Sequence, residues 1–322
     1  MSSQIAVVIP SYRVKAHIAP LITRIGSEVT HIYVVDDCCP EQSGEYVKQH
    51  IKDPRVRVIM HEKNLGVGGA VVTGYKAALA DGVDVVIKID GDGQMAPELI
   101  PTFVAPILSG EADYTKGNRF FSLEYLNEMP KIRVFGNTVL SFVSKASSGY
   151  WNVMDPTNGY TAIHCAVLSM LPLDKIHQRY FFESDMLFRL NTVRAVVADI
   201  PMKSVYADEE SGLKIGKVAV EFPGQYGIRI FKRIFYNYFL RDFNICSLQI
   251  VFGTLLFTLG ALYGGYHWLE SYITHTAAAT GTIILSSLLI ILGFQLLLSA
   301  VIFDAMNIPT QPLQKRLQRR SL

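Results

Sequence analysis

Residues 88–98 read KIDGDGQMAPE, and the apolar run VDVVIKI ends in Asp90-Gly91-Asp92-Gly93-Gln94. Two carboxylates and an amide, spaced by glycines, offer hard oxygen ligands. Carboxylates are costly to bury unless a cation meets them. Mg2+ or Mn2+ held by such a loop takes its remaining ligands from water and substrate phosphates. Glycines at 91 and 93 let the backbone approach a ligand. The stretch reads as a clamp for a metal and a diphosphate, with Asp90, Asp92 and Gln94 as ligands. The metal would neutralise a nucleoside diphosphate as it leaves.

Two more polar clusters follow apolar runs: Pro10-Ser11-Tyr12 after IAVVI, and Asp36-Asp37 after HIYVV. Strands are expected over 5–13, 31–39, 56–61, 83–92 and 113–120. Helical patterns lie between them, as in APLITRIGSEV, SGEYVKQHI, GVGGAVVTGYKAAL and PELIPTFVAPIL. Strands alternating with helices imply a mostly parallel sheet. Ligands of open parallel sheets bind beyond the carboxyl ends of the strands, so the three polar clusters should converge on one crevice. Each acidic pair could instead serve as a turn or helix cap. Gly66-Val67-Gly68-Gly69 opens a helix, and Gly69 is expected near a phosphate or a sugar. It follows the third strand, not the first, so a dinucleotide fingerprint is disfavoured. No Walker A lysine motif occurs. FFESDMLFRL brings Glu183 and Asp185 to a helix start, as base candidates or sugar-orienting groups; helix capping by Ser184 or Asp185 competes with that reading.

The chain has 322 residues, half of them hydrophobic and only 18% charged. Net charge is +2, too small to argue for nucleic acid. The four cysteines include no CxxC, so free thiols in a reducing compartment are expected. No basic leader precedes IAVVI, so no cleavable signal peptide is expected.

Charge is nearly absent from 246–303. CSLQIVFGTLLFTLGALYGGYHW and TGTIILSSLLIILGFQLLLSAVIF each meet the requirement of about 20 apolar residues for a membrane span. The connection LESYITHTAAA holds no Lys or Arg, whereas both outer flanks hold several. The positive-inside rule puts the N-terminal domain and the C-terminal tail in the cytoplasm. Between Phe222 and Asp242 apolar residues recur near helical spacing. Arg229, Lys232, Arg233 and Arg241 fall between them, as in an amphipathic helix at the headgroups. The expected organisation is a catalytic domain over 1–215, a juxtamembrane helical segment over 216–245, two transmembrane helices over 246–303 and a basic tail over 304–322.

VVIPSYR, VVDDCCPE, NLGVGGAVVTGY, KIDGDGQMAPE, KGNRF and DPTNGY occur in the order and spacing of family 2 glycosyltransferases. The chain resembles the polyprenyl-phosphate glycosyltransferases, the dolichyl-phosphate mannose synthase group and its bacterial membrane-bound relatives. The resemblance covers about residues 4 to 215, with the two spans matching the bacterial branch. It implies a GT-A-type, Rossmann-like fold and a nucleotide-sugar donor bound by Pro10, Tyr12, Asp36, Asp37, Asp90, Asp92 and Asp155. UDP-glucose and UDP-N-acetylhexosamine are the first donors it suggests. It implies a polyprenyl phosphate acceptor, undecaprenyl phosphate, received by Arg119, Lys131, Arg133, Asn137 and Lys214. It also implies inversion, a homotetramer and a place in the cytoplasmic membrane. The chain departs from the family pattern at Gly91 and Gly93, at Thr157-Asn158, and around Glu209–Lys214, which matches the Arg-x-x-Gly-x-Ser-Lys motif only in part. A hydroxyl acceptor, a polysaccharide synthase and a non-catalytic membrane binder are the competing classes. The synthase motif Gln-x-x-Arg-Trp is not matched by His177-Gln178-Arg179-Tyr180.

Overall fold

A computed structural model describes residues 3–121, 131–203 and 215–318, with the side chains at 131–135, 137, 215–221 and 318 outside the description. The chain divides into two compact units, 1–230 with 309–322, and 231–308.

The first unit is built on seven strands: β1 (Ile5–Ser11), β2 (His31–Asp36), β3 (Val56–Met60), β4 (Val85–Lys88), β5 (Tyr114–Asn118), β6 (Thr161–His164) and β7 (Val197–Pro201). Their order is β3-β2-β1-β4-β6-β5-β7. β1, β2, β3 and β4 pair in parallel, as do β5 and β7, while β6 runs antiparallel between β4 and β5. The mostly parallel sheet expected from the alternating pattern is present. β6 and β7 are additional to the five expected strands. Each is short, and TAIH and VADIP carry too few alternating residues to stand out from loop.

Apolar residues on both faces of β1, β2 and β4 are buried because helices cover the sheet. These are α1 (Lys15–Thr23), α2 (Ser43–His50), α3 (Val67–Ala80), α4 (Ile100–Leu108), α5 (Lys131–Ser148), the single turn α6 (Cys165–Leu168) and α7 (Phe182–Val193). In α4 the spacing of Ile100, Phe103, Val104 and Ile107 puts four apolar side chains on one buried stripe. Pro101 sits in its first turn, where no intrahelical N–H is lost.

The long helix α8 (Ile215–Phe235) starts in this unit. Its Tyr226 hydroxyl lies 2.8 Å from Ser184 Oγ, and Arg229 Nε donates to Asp185 Oδ1 at 3.0 Å. The helix cap expected at Ser184 or Asp185 is not formed. The cap position of α7 is Phe181, with no side-chain bond, and both residues face α8 instead. The C-terminal helix α11 (Leu313–Gln318) also belongs to this unit. Buried Asp113, just before β5, accepts from the N–H groups of Leu313 at 2.7 Å and Gln314 at 2.9 Å. The Gln314 amide donates to Ile107 and Ala112 carbonyls.

The second unit holds the end of α8, a π-helical turn over Tyr236–Arg241, and a hairpin of α9 (Ile245–Thr274) and α10 (Thr280–Met306). The 30- and 27-residue helices are long and apolar enough to cross a membrane. α9 runs on to Thr274, so the connection shrinks to 275–279, shorter than the dozen residues expected. Glycine sets the helix contact: a Cβ on Gly260 would come within 2.9 Å of the Ile290 backbone, and one on Gly293 within 2.8 Å of Phe257 Cα.

Two arginines of the segment expected at the headgroups pair with carboxylates of the protein. Arg229 pairs with Asp185 in the first unit, and Arg233 is buried against Asp304 in the second. Both carboxylates lie inside protein and need a cation, which overrides the simple amphipathic pattern. Lys232 and Arg241 stay exposed, beside the exposed apolar residues Ile228, Phe231, Phe235 and Leu240.

Candidate active site

The sheet brings the three polar strand ends together. Ser11 is opposite Asp36 and Val8 is opposite Lys88. Asp37 N–H donates to Ser11 O at 3.0 Å. A Cβ at Gly91 would sit 3.2 Å from Pro10 O, so glycine lets the 90–94 loop close on the end of β1. Tyr12 is exposed at this rim, with the Arg13 guanidinium 5.5 Å from its ring centre.

Asp36 and Asp37 are buried and already hydrogen-bonded. Asp36 Oδ1 accepts from Cys39 N–H at 2.7 Å, and Oδ2 from Gly44 N–H at 2.6 Å in the first turn of α2, where a negative charge favours the helix dipole. Asp37 accepts from Leu65 N–H at 2.8 Å and Gly66 N–H at 2.7 Å, and its Oδ1 lies 2.8 Å from His61 Nδ1. His61 Nε2 lies 2.9 Å from Thr73 Oγ1. The pair thus organises the two loops that frame the crevice, as the turn-or-cap alternative expects. His61, which has no motif spacing to mark it, is part of that frame. Gly66 has φ +88°, a conformation that favours glycine. Gly69 gives its N–H to Gln178 O at 3.0 Å. The glycine-rich start of α3 packs against the chain at 177–182.

On the 90–94 loop, Asp92 Oδ1 accepts from Gln94 N–H at 3.0 Å, and Gly93 has φ +78°. Asp90 Oδ1 lies 2.8 Å from Lys88 Nζ, and Glu183 Oε1 lies 3.1 Å from the same nitrogen. Burial opposes the Lys88 ammonium, but the charges of Asp90 and Glu183 outweigh it and raise its pKa above the ordinary lysine value. Lys88 is not among the residues that the motif pattern picks out. Its signal is a charge at the end of an otherwise apolar, fully buried strand.

Beyond β5, Arg119 grips Asp155 through Nε at 2.7 Å and Nη2 at 2.9 Å. Asp155 is wholly buried in this pair. Lys116, also buried, donates to Asn158 O at 2.5 Å. Burial pulls its pKa down to about 8, against the opposing charges of Glu183 and Asp155. Asp185 is buried, with Oδ2 accepting from His177 N–H and Arg189 Nε, both at 2.9 Å, and Oδ1 from Arg229. Its oxygens tie α7 to its surroundings, which leaves Glu183 as the acid of this segment that reaches the Asp90 loop. Lys131, Arg133 and Asn137 fall on α5, but their side chains lie outside the described residues, as does Lys214 entirely.

Among the described residues no three His, Cys, Asp or Glu side chains converge as a metal cage. Two carboxylates and an amide on one loop nevertheless suit Mg2+ or Mn2+, which bind through one or two carboxylates plus water and phosphate oxygens. The donor set fits a cation shared with a diphosphate rather than one enclosed by protein.

A family model described as Glycosyl transferase family 2 matches residues 6–171, just over half of the chain. The UDP-N-acetylglucosamine–dolichyl-phosphate N-acetylglucosaminyltransferase of Methanococcus voltae is 28% identical over 218 residues, 63% of this chain and 86% of that protein. The undecaprenyl-phosphate mannosyltransferase of Micrococcus luteus is 27% identical over 206 residues, 63% of this chain and 84% of that protein. Among solved structures, glucosyl-3-phosphoglycerate synthase from Mycobacterium tuberculosis, in complex with Mn2+, UDP-glucose and phosphoglyceric acid, superposes with TM-score 0.54. It is 19% identical and covers 72% of this chain and 79% of that one.

Proposed function

The chain belongs to glycosyl transferase family 2, and on that premise we propose that it transfers a sugar from a nucleoside diphosphate to a polyprenyl phosphate at a membrane surface. The observation that carries this reading is one juxtaposition. The Asp90-x-Asp92 loop lies beside the β1 and β2 ends in a catalytic unit, and the same chain continues into two helices of membrane-spanning length. The relatives named for dolichyl- and undecaprenyl-phosphate transfer support the acceptor class. UDP-glucose or a UDP-N-acetylhexosamine is the proposed donor and undecaprenyl phosphate the proposed acceptor, with inversion at the sugar.

Asp92 and Gln94, with Asp90 behind them, would hold Mg2+ or Mn2+, which neutralises charge on the departing diphosphate when bound. Asp36 and Asp37 hold the loops against which the nucleoside lies, with Pro10 and Tyr12 at its rim. A phosphate monoester is already anionic at neutral pH, so its attack needs alignment more than a general base. Arg119, oriented by Asp155, supplies a guanidinium suited to two phosphate oxygens, and Lys131, Arg133, Asn137 and Lys214 are its proposed helpers. Glu183, tied to Lys88, acts as an orienting group.

Residues 309–318 pack in the same unit as the N-terminal sheet. The proposed topology puts both ends of the hairpin on one side of the membrane, with the basic flanks marking that side as the cytoplasm. The proposed location is the cytoplasmic membrane. The exposed Phe231, Phe235 and Leu240 suit the lipid interface. A homotetramer is the proposed assembly.

The test is a donor screen with detergent-solubilised protein, undecaprenyl phosphate, Mg2+ or Mn2+, and individual UDP- and GDP-sugars. Released nucleotide and lipid product are both recorded. Lipid product from one donor, abolished by chelator, is expected. Nucleotide release without lipid product would replace the acceptor and make Glu183 a base candidate.

A further inference from the structure

Lys88 is fully buried at the end of β4, yet its ammonium meets two carboxylates from distant parts of the chain. Asp90 belongs to the acidic loop. Glu183 stands in the first turn of α7, 95 residues away from Lys88. A third segment closes over the pair: a Cβ at Gly159 would meet both Lys88 Nζ and Asp90 Oδ2, so a larger residue there would displace these side-chain ends. Asp90 has Oδ1 on the ammonium and Oδ2 beside Gly159, while Asp92 Oδ1 accepts from Gln94 N–H.

The sheet register makes this a built arrangement. Lys88 and Lys116 are both cross-strand partners of Thr161, from β4 and β5 on either side of β6. Directly opposed residues share a face of the sheet, so one row places two ammonium groups under the crevice. Lys116 holds Asn158 O and Lys88 abuts Gly159, so adjacent residues of the 155–160 loop rest on the two lysines.

Resting on the functional reading above, we propose that Lys88 is a positioning residue for sugar transfer: it pins Asp90 and Glu183 at one fixed spacing beneath Gly159, so that the 90–94 loop stands ready for the diphosphate and its cation. A buried ammonium touching two carboxylates could also serve only to neutralise them. The two roles separate when the charge balance is restored without the ammonium.

The experiment compares the full-length wild type, Lys88→Met, and the double variant Lys88→Met/Glu183→Gln in detergent. Thermal unfolding, calorimetric binding of UDP and GDP with and without Mn2+, and kcat and KM are measured. Lys88→Met is expected to unfold at lower temperature, because two carboxylates lose their cation. The double variant, with one carboxylate fewer, is expected to recover much of that stability. It should still bind nucleoside diphosphate with Mn2+ about 10-fold more weakly than wild type and turn over about 100-fold more slowly, with the loss in kcat larger than any change in acceptor KM. Recovery of Mn2+-dependent binding and kcat together with stability would overturn the proposal and leave Lys88 as a charge balancer. Unchanged binding and kcat in Lys88→Met would overturn it as well. A wild type that binds neither UDP nor GDP would overturn the functional reading itself, and this inference with it.

Discussion

Arg119 meets Asp155 through two nitrogens, Nε at 2.7 Å and Nη2 at 2.9 Å, with the carboxylate wholly buried and the arginine side chain 28% exposed. One edge of the guanidinium is thus fixed by protein at the end of β5. In the proposed acceptor site this pair would set the orientation of the guanidinium before phosphate arrives. Asp155→Ala is expected to cost about 3 kcal/mol of stability, because it strips a largely buried arginine of its partner. Asp155→Asn keeps the shape and part of the hydrogen bonding, and should cost less. Both should raise the KM for polyprenyl phosphate, since Arg119 is no longer aimed. Chemical denaturation together with acceptor titration checks this; an effect on donor KM alone would remove Arg119 from the acceptor site.

Asp92 is the acid of the loop that Lys88 does not hold. Asp92→Asn keeps an oxygen able to accept the Gln94 N–H, so folding and membrane insertion should persist. Metal-dependent turnover should drop by roughly 100-fold or more, as charge neutralisation of the leaving diphosphate weakens. The measurement is product formation against Mn2+ concentration. Near-normal activity at every concentration would sink the clamp assignment.

The acidic loop, the strand ends and the parallel sheet were legible because each has a local signal: an apolar run, a polar stop, a glycine. The supports were not. Lys88 takes its meaning from Glu183, and Arg233 from Asp304, partners that meet only after long-range folding. Asp36 and Asp37 look like ligand groups in sequence, and the structure adds a loop-holding role that sequence does not mark: their oxygens accept from backbone N–H groups of Cys39, Gly44, Leu65 and Gly66. Carboxylates at strand ends serve ligands and loops with the same residue types, and only the hydrogen-bond partners tell the two apart. The tail shows the same limit. KRLQRR reads as a charged terminus, yet its neighbours Leu313 and Gln314 dock on buried Asp113.

Lys116 gives the molecule a pH signature. Burial is the main cause that brings its pKa down to about 8, against 10.5 for an ordinary lysine. Between those values the unfolded chain binds more protons at this site than the folded one. Its contribution to stability therefore rises as pH rises from about 8 towards 10.5, and is flat below that window. The neutral amine can still donate to Asn158 O, so the contact survives deprotonation. Thermal melts of wild type and Lys116→Met at pH 7 and pH 9.5 isolate the contribution: the melting temperature of wild type relative to the variant should climb with pH. A difference independent of pH would mean that Lys116 is not held as a costly buried cation.

Asp304 lies near the end of α10, and both its oxygens are taken by Arg233, Nη1 at 2.6 Å and Nη2 at 2.9 Å; the Tyr238 hydroxyl adds a third bond at 2.6 Å. The cluster fastens the end of α8 and the π-helical turn to the second apolar helix, within one compact unit. Removing one partner leaves a buried charge, so Asp304→Ala should destabilise this unit by about 3–5 kcal/mol. Replacing both ions by apolar residues of similar bulk, as in Arg233→Met/Asp304→Leu, removes the desolvation cost along with the attraction and should recover most of the loss. Tyr238 then keeps Asn307 as a neighbour, 3.5 Å from its hydroxyl. A double-mutant cycle read by limited proteolysis between residues 231 and 245 in detergent decides the matter. Strong coupling between 233 and 304 is expected, whereas additive losses would mean that the ion pair does not hold the juxtamembrane segment to the hairpin.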